Sequence, residues 1–384
     1  MGLVITPQSE IDKYFESDAL SQSNLKKLLG GIDSFINNQK EESELFYTEK
    51  GHFIIGSAVD TILTGVEGEF ENKYHVSVLE KKPSDTEMSI INRAFQDILD
   101  SYSEEQLKEQ GIDELSKYPG SIQMAIEEHN YQPNWKTETK INKIVENGTL
   151  YFEDLKKALG KQMLSSNEMV LISSIVSSLK TNPRTSKYFD RDALLRADKV
   201  TVYYQLPIYF TYKGVKCKAL LDMLIVIRDE AGKVVSVQAF DLKTMNGNTL
   251  KFPSNLKSFR YDIQAAWYTE AIFTKDSTLK IDGLTPEILR PFTFIVESNS
   301  QPGIPLLYEI DEELLLTGKF GRPDLILQGK NENQVDVLEI LKQKVVGFDE
   351  LINTYIYQSN NDWKEEKIIT DNNGVLKIGW NGIK

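Results

Sequence analysis

The stretch VKCKALLDMLIVI (215–227), with QAFDLKTMNG (238–247) and FRYDIQAAWYTEAI (259–272) after it, decides how this chain folds. Asp222 and Asp241 each interrupt an apolar, β-branched run of the kind that forms a buried strand. A carboxylate removed from water without a partner costs several kcal/mol, so two of them in strand interiors predict a compensating cation. Two residues beyond the second acid stands Lys243, giving the pattern Asp, eighteen residues, Asp-X-Lys.

The flanking sequence supplies the architecture. VTVYYQLPIYFTY (200–212), a Lys213-Gly214 turn, the 215–227 run, a turn from Asp229 to Gly232 and KVVSVQAFDLKT (233–244) predict three strands in an antiparallel meander. FRYDIQAAWYTEAIF (259–273) predicts a strongly amphipathic helix, and FTFIVES (292–298) and GIPLLYEI (303–310) two more strands. Upstream, DALSQSNLKKLLGGIDSFI (18–36) predicts a short helix capped by Ser21 or Ser23, with Leu25 and Leu28 on one face and Gly30-Gly31 as its stop. HFIIGSAVDTILTG (52–65) carries an apolar stripe of Ile55, Ala58, Val59, Ile62 and Leu63, so it predicts a buried helix with Asp60 in its middle. From Pro83 to about Arg191 the pattern is helical, in MSIINRAFQDIL (88–99), SIQMAIEEHN (121–130) and SSNEMVLISSIVSSLKTNP (165–183), with turn-forming and polar pieces between them. A last helix is expected over 335–358, before a polar tail ending in VLKIGW. The expected fold is α/β: one domain over 1–384, a mixed central sheet flanked by helices, and a helical insertion at about 83–191.

Composition narrows the class. The 384 residues are 40% hydrophobic and 26% charged, the balance of a folded soluble protein. A single cysteine, Cys217, excludes an internal disulfide framework, a multi-cysteine zinc site and a cysteine-held iron–sulfur cluster. No basic and apolar leader opens the sequence and no apolar run is long enough for a membrane span, so the expectation is a cytoplasmic protein with no membrane partner. The net charge of −13 speaks against general nucleic-acid binding, yet residues 196–270 hold 11 Lys+Arg against 7 Asp+Glu. The basic excess coincides with the Asp-X-Lys region, which suits a polyanionic substrate met at one face of an acidic body.

These residue types fit phosphodiester hydrolysis. Carboxylate oxygens suit Mg²⁺ or Mn²⁺, which use few protein ligands and keep several waters. Lys243 shares a strand face with Asp241 and can orient the attacking water beside the scissile phosphate. Gln264 and Tyr268, spaced i and i+4, lie on one face of the following helix. Taken singly, Lys243 reads as a surface lysine, Tyr268 as core and Asp60 as a solvated acid; taken together the spacing favours the site. His52, His75 and His129 share no metal-ligand spacing.

In order, LSQSNLKKLL (20–29), IGSAVDTIL (55–63), the pair ALLDML (219–224) and FDLKT (240–244), and Gln264-X-X-X-Tyr268 resemble the PD-(D/E)XK nucleases, specifically the RecB-like and RecE-type exonucleases of phages. The resemblance covers 18–65 and 200–300, and more loosely GFDELINTYIYQ (347–358). It implies a restriction-endonuclease-like core and a Mg²⁺- or Mn²⁺-dependent exonuclease acting on linear DNA in recombination or end processing. It implies metal ligation by Asp222, Asp241 and the Leu242 carbonyl, catalysis by Lys243, and DNA contact or bracing by Gln264 and Tyr268. Asp60 falls where many relatives place a histidine ligand, and it is the candidate third metal-binding side chain. Implied partners are DNA, a single-strand annealing or recombination protein, and further copies of the chain. The alternative is an accessory DNA-binding protein that keeps the fold with weakened catalysis.

Overall fold

The computed structural model describes residues 2–36 except 33, 51–77, 79, 82–102, 111–322, 345–360, 378–379 and 382–383. In chain order the strands are β1 (Gly2–Ile5), β2 (Tyr74–Ser77), β3 (Gln162–Ser165), β4 (Val200–Tyr212), β5 (Val215–Arg228), β6 (Val234–Met245), β7 (Thr293–Ser298) and β8 (Leu306–Glu309), followed by two two-residue strands. Chain contacts divide the protein into two compact units, one of Met1–Val66 with Ser174–Lys384 and one of Glu67–Ser173. The inserted unit therefore begins and ends earlier than the 83–191 expected from helical patterning.

The first unit is a mixed six-stranded sheet in the order β1-β4-β5-β6-β7-β8, flanked by helices. β4, β5 and β6 form the expected antiparallel meander, while β1 joins β4 and β7 joins β6 in parallel. Lys213 and Gly214, at φ 50° and 81°, make the two-residue hairpin turn whose twist matches the flanking strands. The sheet opens at one point. β5 and β6 are paired from Met223↔Phe240 to Arg228↔Val234, whereas from Phe240 to Met245 β6 follows β7. The two strands thus separate at Asp222 and Asp241.

Separation strips β5 of a partner, and its peptide groups are satisfied from elsewhere. Leu20 N–H donates to the Lys216 carbonyl, Lys218 N–H donates to the Leu20 carbonyl, and the Trp267 indole donates to the Lys218 carbonyl at 3.0 Å. Lys218, buried, sends its ammonium to the carbonyls of Tyr14 and Ser17, both at 2.7 Å, and so ties the end of the Gln8–Glu16 helix to β5.

The Tyr261–Phe273 helix is buried on nearly every side, Asp262 and Gln264 included, rather than amphipathic as its sequence suggests. One face lies on the sheet, and the Glu312–Phe320 helix packs on another, so close that a Cβ on Gly318 would stand 2.1 Å from the Asp262 carbonyl oxygen. The N-terminal elements are as expected: Ser21 caps the Gln22–Lys26 helix through Asn24 N–H, and the Gly51–Thr64 helix buries Ile55, Ala58, Val59 and Leu63. Of the predicted last helix, Phe348–Ser359 is helical and 345–347 is not; 335–344 and most of the 375–380 tail lie outside the described residues.

The Glu67–Ser173 unit pairs β2 with β3 in parallel and packs the helices Asp85–Asp100, Pro119–Glu128 and Thr137–Lys157 around Ile91, Ile122, Ile144 and Phe152. Sequence patterning misses the third of these helices. Its 21 residues carry Asn147-Gly148 at the centre, a turn signal in other settings. Here the glycine faces Ile91, whose Cδ1 would stand 2.3 Å from an added Cβ, and Asn147 donates to the buried Glu87 at 2.7 Å.

Candidate active site

The candidate residues converge where β5 and β6 part. Leu242 N–H, released from strand pairing, donates to Asp222 Oδ2 at 2.8 Å, so the carboxylate takes the place of a missing ladder acceptor. Asp241, on β6, is only 1% exposed. Its Oδ1 accepts from Gln264 Nε2 at 2.6 Å, and the same nitrogen lies 3.3 Å from the Tyr268 hydroxyl. Its Oδ2 is buried and ion-paired with Lys243 Nζ at 2.5 Å, with no other donor on it among the described residues. Gln264 and Tyr268, spaced i and i+4, stand side by side on the covering helix, with Gln264 bonded to Asp241 and Tyr268 bonded to Gln264.

Asp60 does not face bulk solvent. It is half-buried, with Oδ2 accepting from Gln205 Nε2 at 2.6 Å and Oδ1 from the Thr64 hydroxyl at 2.9 Å. Gly56, one turn earlier, lets that helix approach β6 so closely that a Cβ would stand 2.9 Å from Thr244 Oγ1. Among the described residues no three His, Cys, Asp or Glu side chains are arranged to hold one metal ion. The set available to a cation is therefore the Asp222 and Asp241 carboxylates with the main chain between them. Two carboxylates plus water and substrate oxygens are what Mg²⁺ ordinarily uses, and Asp241 Oδ2 fits that demand.

Two residues of this site carry no sequence signal. Gln205 sits across from Asp222 in the β4–β5 register, between the pairs Tyr204↔Met223 and Leu206↔Leu221, and holds a left-handed φ of 52° inside a strand. That conformation is costly for a non-glycine residue and recurs at functional sites. Lys26, on the Ser21-capped helix, donates to the Phe259 carbonyl at 3.2 Å and lies 5.8 Å from the centre of the Tyr261 ring. Lys243 stands over the same ring at 5.1 Å.

The electrostatics follow from burial and crowding. Burial first, then the charges of Asp241 and Asp60, push the Asp222 carboxyl well above the usual range. Burial also raises Asp60, to about 6, with the Thr64 bond opposing it and the Asp241 charge adding to it. Asp241 is raised by burial, an effect that Lys243, Lys26 and Gln264 counteract. Burial pulls the Lys243 ammonium down, but Asp241 and Asp222 outweigh it and its pKa is raised, so the lysine is held cationic. Lys26 falls to about 8, through burial and then repulsion by Lys243. Burial and the crowding of like charges thus favour protons on Asp222 and Asp60, and a divalent cation bound there would take the place of those protons.

A mixed α/β fold with paired acids and a lysine at a fork in its sheet is the class that these observations define. No family model matches the chain, and no curated protein matches it. Among solved structures it is similar to a protein from Eubacterium rectale provisionally named an exonuclease, at 16% identity and a TM-score of 0.27 over 62% of this chain and 80% of that one. It is also similar to the protein SSO0001, at 11% identity and a TM-score of 0.18 over 59% of this chain and 80% of that one. Similarity at this level settles neither fold nor activity, and the functional reading rests on the site. Among the described residues no helix is long and apolar enough to cross a membrane.

Proposed function

We propose that the protein is a metal-dependent deoxyribonuclease of the PD-(D/E)XK type that degrades linear DNA from its ends. The observation that carries this reading is the fork between β5 and β6, which gathers Asp222, Asp241 and Lys243 at one opening. Asp222, Asp241 and the Leu242 carbonyl would hold Mg²⁺ or Mn²⁺, with Asp60 adding negative charge nearby. Such an ion supplies the positive charge that polarises a phosphoryl oxygen and acidifies a water.

The chain's own groups complete the chemistry. Lys243, cationic beside Asp241, positions the attacking water and stabilises negative charge that develops on the phosphate. Gln264 fixes the Asp241 carboxylate through Oδ1 and leaves Oδ2 beside the lysine, where it would also be free to hold the ion. Tyr268 braces Gln264 from the next turn. Lys26 adds a second ammonium for the substrate backbone.

Linear duplex DNA incubated with Mg²⁺, Mn²⁺ or EDTA tests the reading. Loss of DNA is expected with either metal, none with EDTA, and none with Asp241→Ala or Lys243→Ala. Absence of any metal-dependent loss in the wild type would leave the accessory DNA-binding alternative standing. Covalently closed circles cut as readily as linear DNA would replace an exonuclease by an endonuclease.

A further inference from the structure

A cleft of about 560 Å³ extends from Leu242 and Lys243, away from Asp222 and Asp241. Its volume is within the ~300–1,000 Å³ of small-ligand sites. Its walls combine three kinds of group. The Lys243 end is cationic, and Lys26 lies close by on the Phe259 carbonyl. Phe252, Phe259 and Tyr261 form an aromatic side, with Phe252 stacked on Tyr261 at 17° and 5.9 Å. Asn255 and Asn299 are half-buried and line the cleft, and among the described residues their side-chain amides make no hydrogen bond.

The rings differ in what they can still accept. Tyr261 already has Phe252 on its face and Lys243 over it at 5.1 Å. Phe259, tilted 31° from Tyr261, is 56% exposed. A phenylalanine that open in a cleft lined by unpaired amides offers a π face together with donors and acceptors at its edge. Cation, ring and amide side by side match the three parts of a nucleotide: phosphate, base face and base edge.

We infer that the cleft receives the unpaired base of the nucleotide next to the scissile phosphate, stacked on Phe259 with its edge against Asn255 and Asn299. This deepens the nuclease reading and rests on it. A base in the cleft has left its duplex partner, so the strand enters the fork single-stranded, with the end nucleotide splayed from the helix. Asparagine amides present both a donor and an acceptor, so the cleft accepts any of the four bases and confers little sequence preference.

A two-by-two comparison tests this. The KM for linear duplexes is measured with a normal or an abasic nucleotide at the degraded end, using wild-type protein and Phe259→Ala. Loss of one stacked base weakens binding by about tenfold. The abasic end should therefore raise KM about tenfold for wild type, and Phe259→Ala should raise it similarly for the normal end. The two losses should not add, and Phe259→Trp should restore the normal-end KM. Because Phe259 is largely exposed, equal melting temperatures check that the variants are folded. If wild type degrades linear DNA with equal KM for both ends, or if the two losses multiply, the stacking is refuted and the nuclease reading stands. If wild type degrades no DNA with any metal, both fall.

Discussion

Replacing Gln205 by alanine and, separately, by glycine distinguishes what its side chain holds from what its backbone costs. Either change removes the 2.6 Å donor to Asp60 Oδ2 and the 2.9 Å bond to Thr64. A hydrogen bond to a charged group contributes roughly 1.5–3 kcal/mol. The left-handed φ of 52° costs a non-glycine residue roughly 1–2 kcal/mol. Alanine keeps that cost and glycine escapes it, less roughly 0.5–1 kcal/mol for glycine's extra freedom in the unfolded chain. The alanine variant should thus lose about 2 kcal/mol and the glycine variant about 1 kcal/mol. Their melting temperatures should differ by roughly 1–2 °C, with glycine the higher. Both should bind Mn²⁺ more weakly, because Gln205 holds the Asp60 carboxylate, whose negative charge adds to the site without ligating the ion. Calorimetric titration with Mn²⁺ in the absence of DNA and a thermal melt measure the two quantities independently of catalysis. Mn²⁺ affinity equal to wild type in the glycine variant would refute a positioning role for Gln205, and an alanine variant melting at or above the glycine variant would refute the strain.

Further expectations concern the ion pair, the second lysine and the covering helix. Lys243→Met leaves Asp241 buried without its cation, so denaturant unfolding should show a loss of about 3 kcal/mol, most of it recovered in Asp241→Asn/Lys243→Met, with both variants lacking nuclease activity. Lys26 has its pKa lowered to about 8 from an ordinary 10.5, so it is cationic below that pH and neutral above it. Between these values the unfolded chain binds the proton and the folded chain does not, so this group's contribution to stability rises with pH across that window. Its contribution to DNA affinity moves the other way. Fluorescence anisotropy with Ca²⁺ should show weaker binding above pH 8 in the wild type and no such step in Lys26→Met; parallel curves would dismiss the contact. Gly318→Ala places a Cβ 2.1 Å from the Asp262 carbonyl oxygen, which must force two helices apart, and should cost about 3 kcal/mol in chemical denaturation.

Much of this arrangement is legible in sequence, because the acids sit in apolar strands whose period and turns are strong signals. Asp222 and Asp241 stand out in the sequence by a violation of burial rules, Lys243 by its place two residues beyond Asp241, and Gln264 and Tyr268 by helical spacing. Gln205 is not found that way. In an alternating strand a glutamine reads as a solvent-facing polar residue, and no residue type announces a left-handed φ at that position. Lys26 belongs to a short helix whose basic residues read as a solvated face, and only the tertiary fold brings it over Tyr261. The Thr137–Lys157 helix is hidden in the sequence because its central glycine, packed against Ile91, resembles a breaker. The buried character of the Tyr261–Phe273 helix is masked by its polar residues Asp262 and Gln264: Asp262 pairs with Arg260 two residues earlier, which in turn donates to the distant Val346 carbonyl, and Gln264 reaches Asp241 on β6.

The fork also creates a hazard that chemistry alone would not reveal. A strand without its neighbour is a template for pairing with another chain. The segment around Leu20 occupies that template on β5, and Trp267 covers the carbonyl beside it. Guarding this edge is therefore a matter of solubility as much as of folding: a lesion at Leu20 or Trp267 should first be seen as strand-mediated aggregation, with the carboxylates and the lysine untouched.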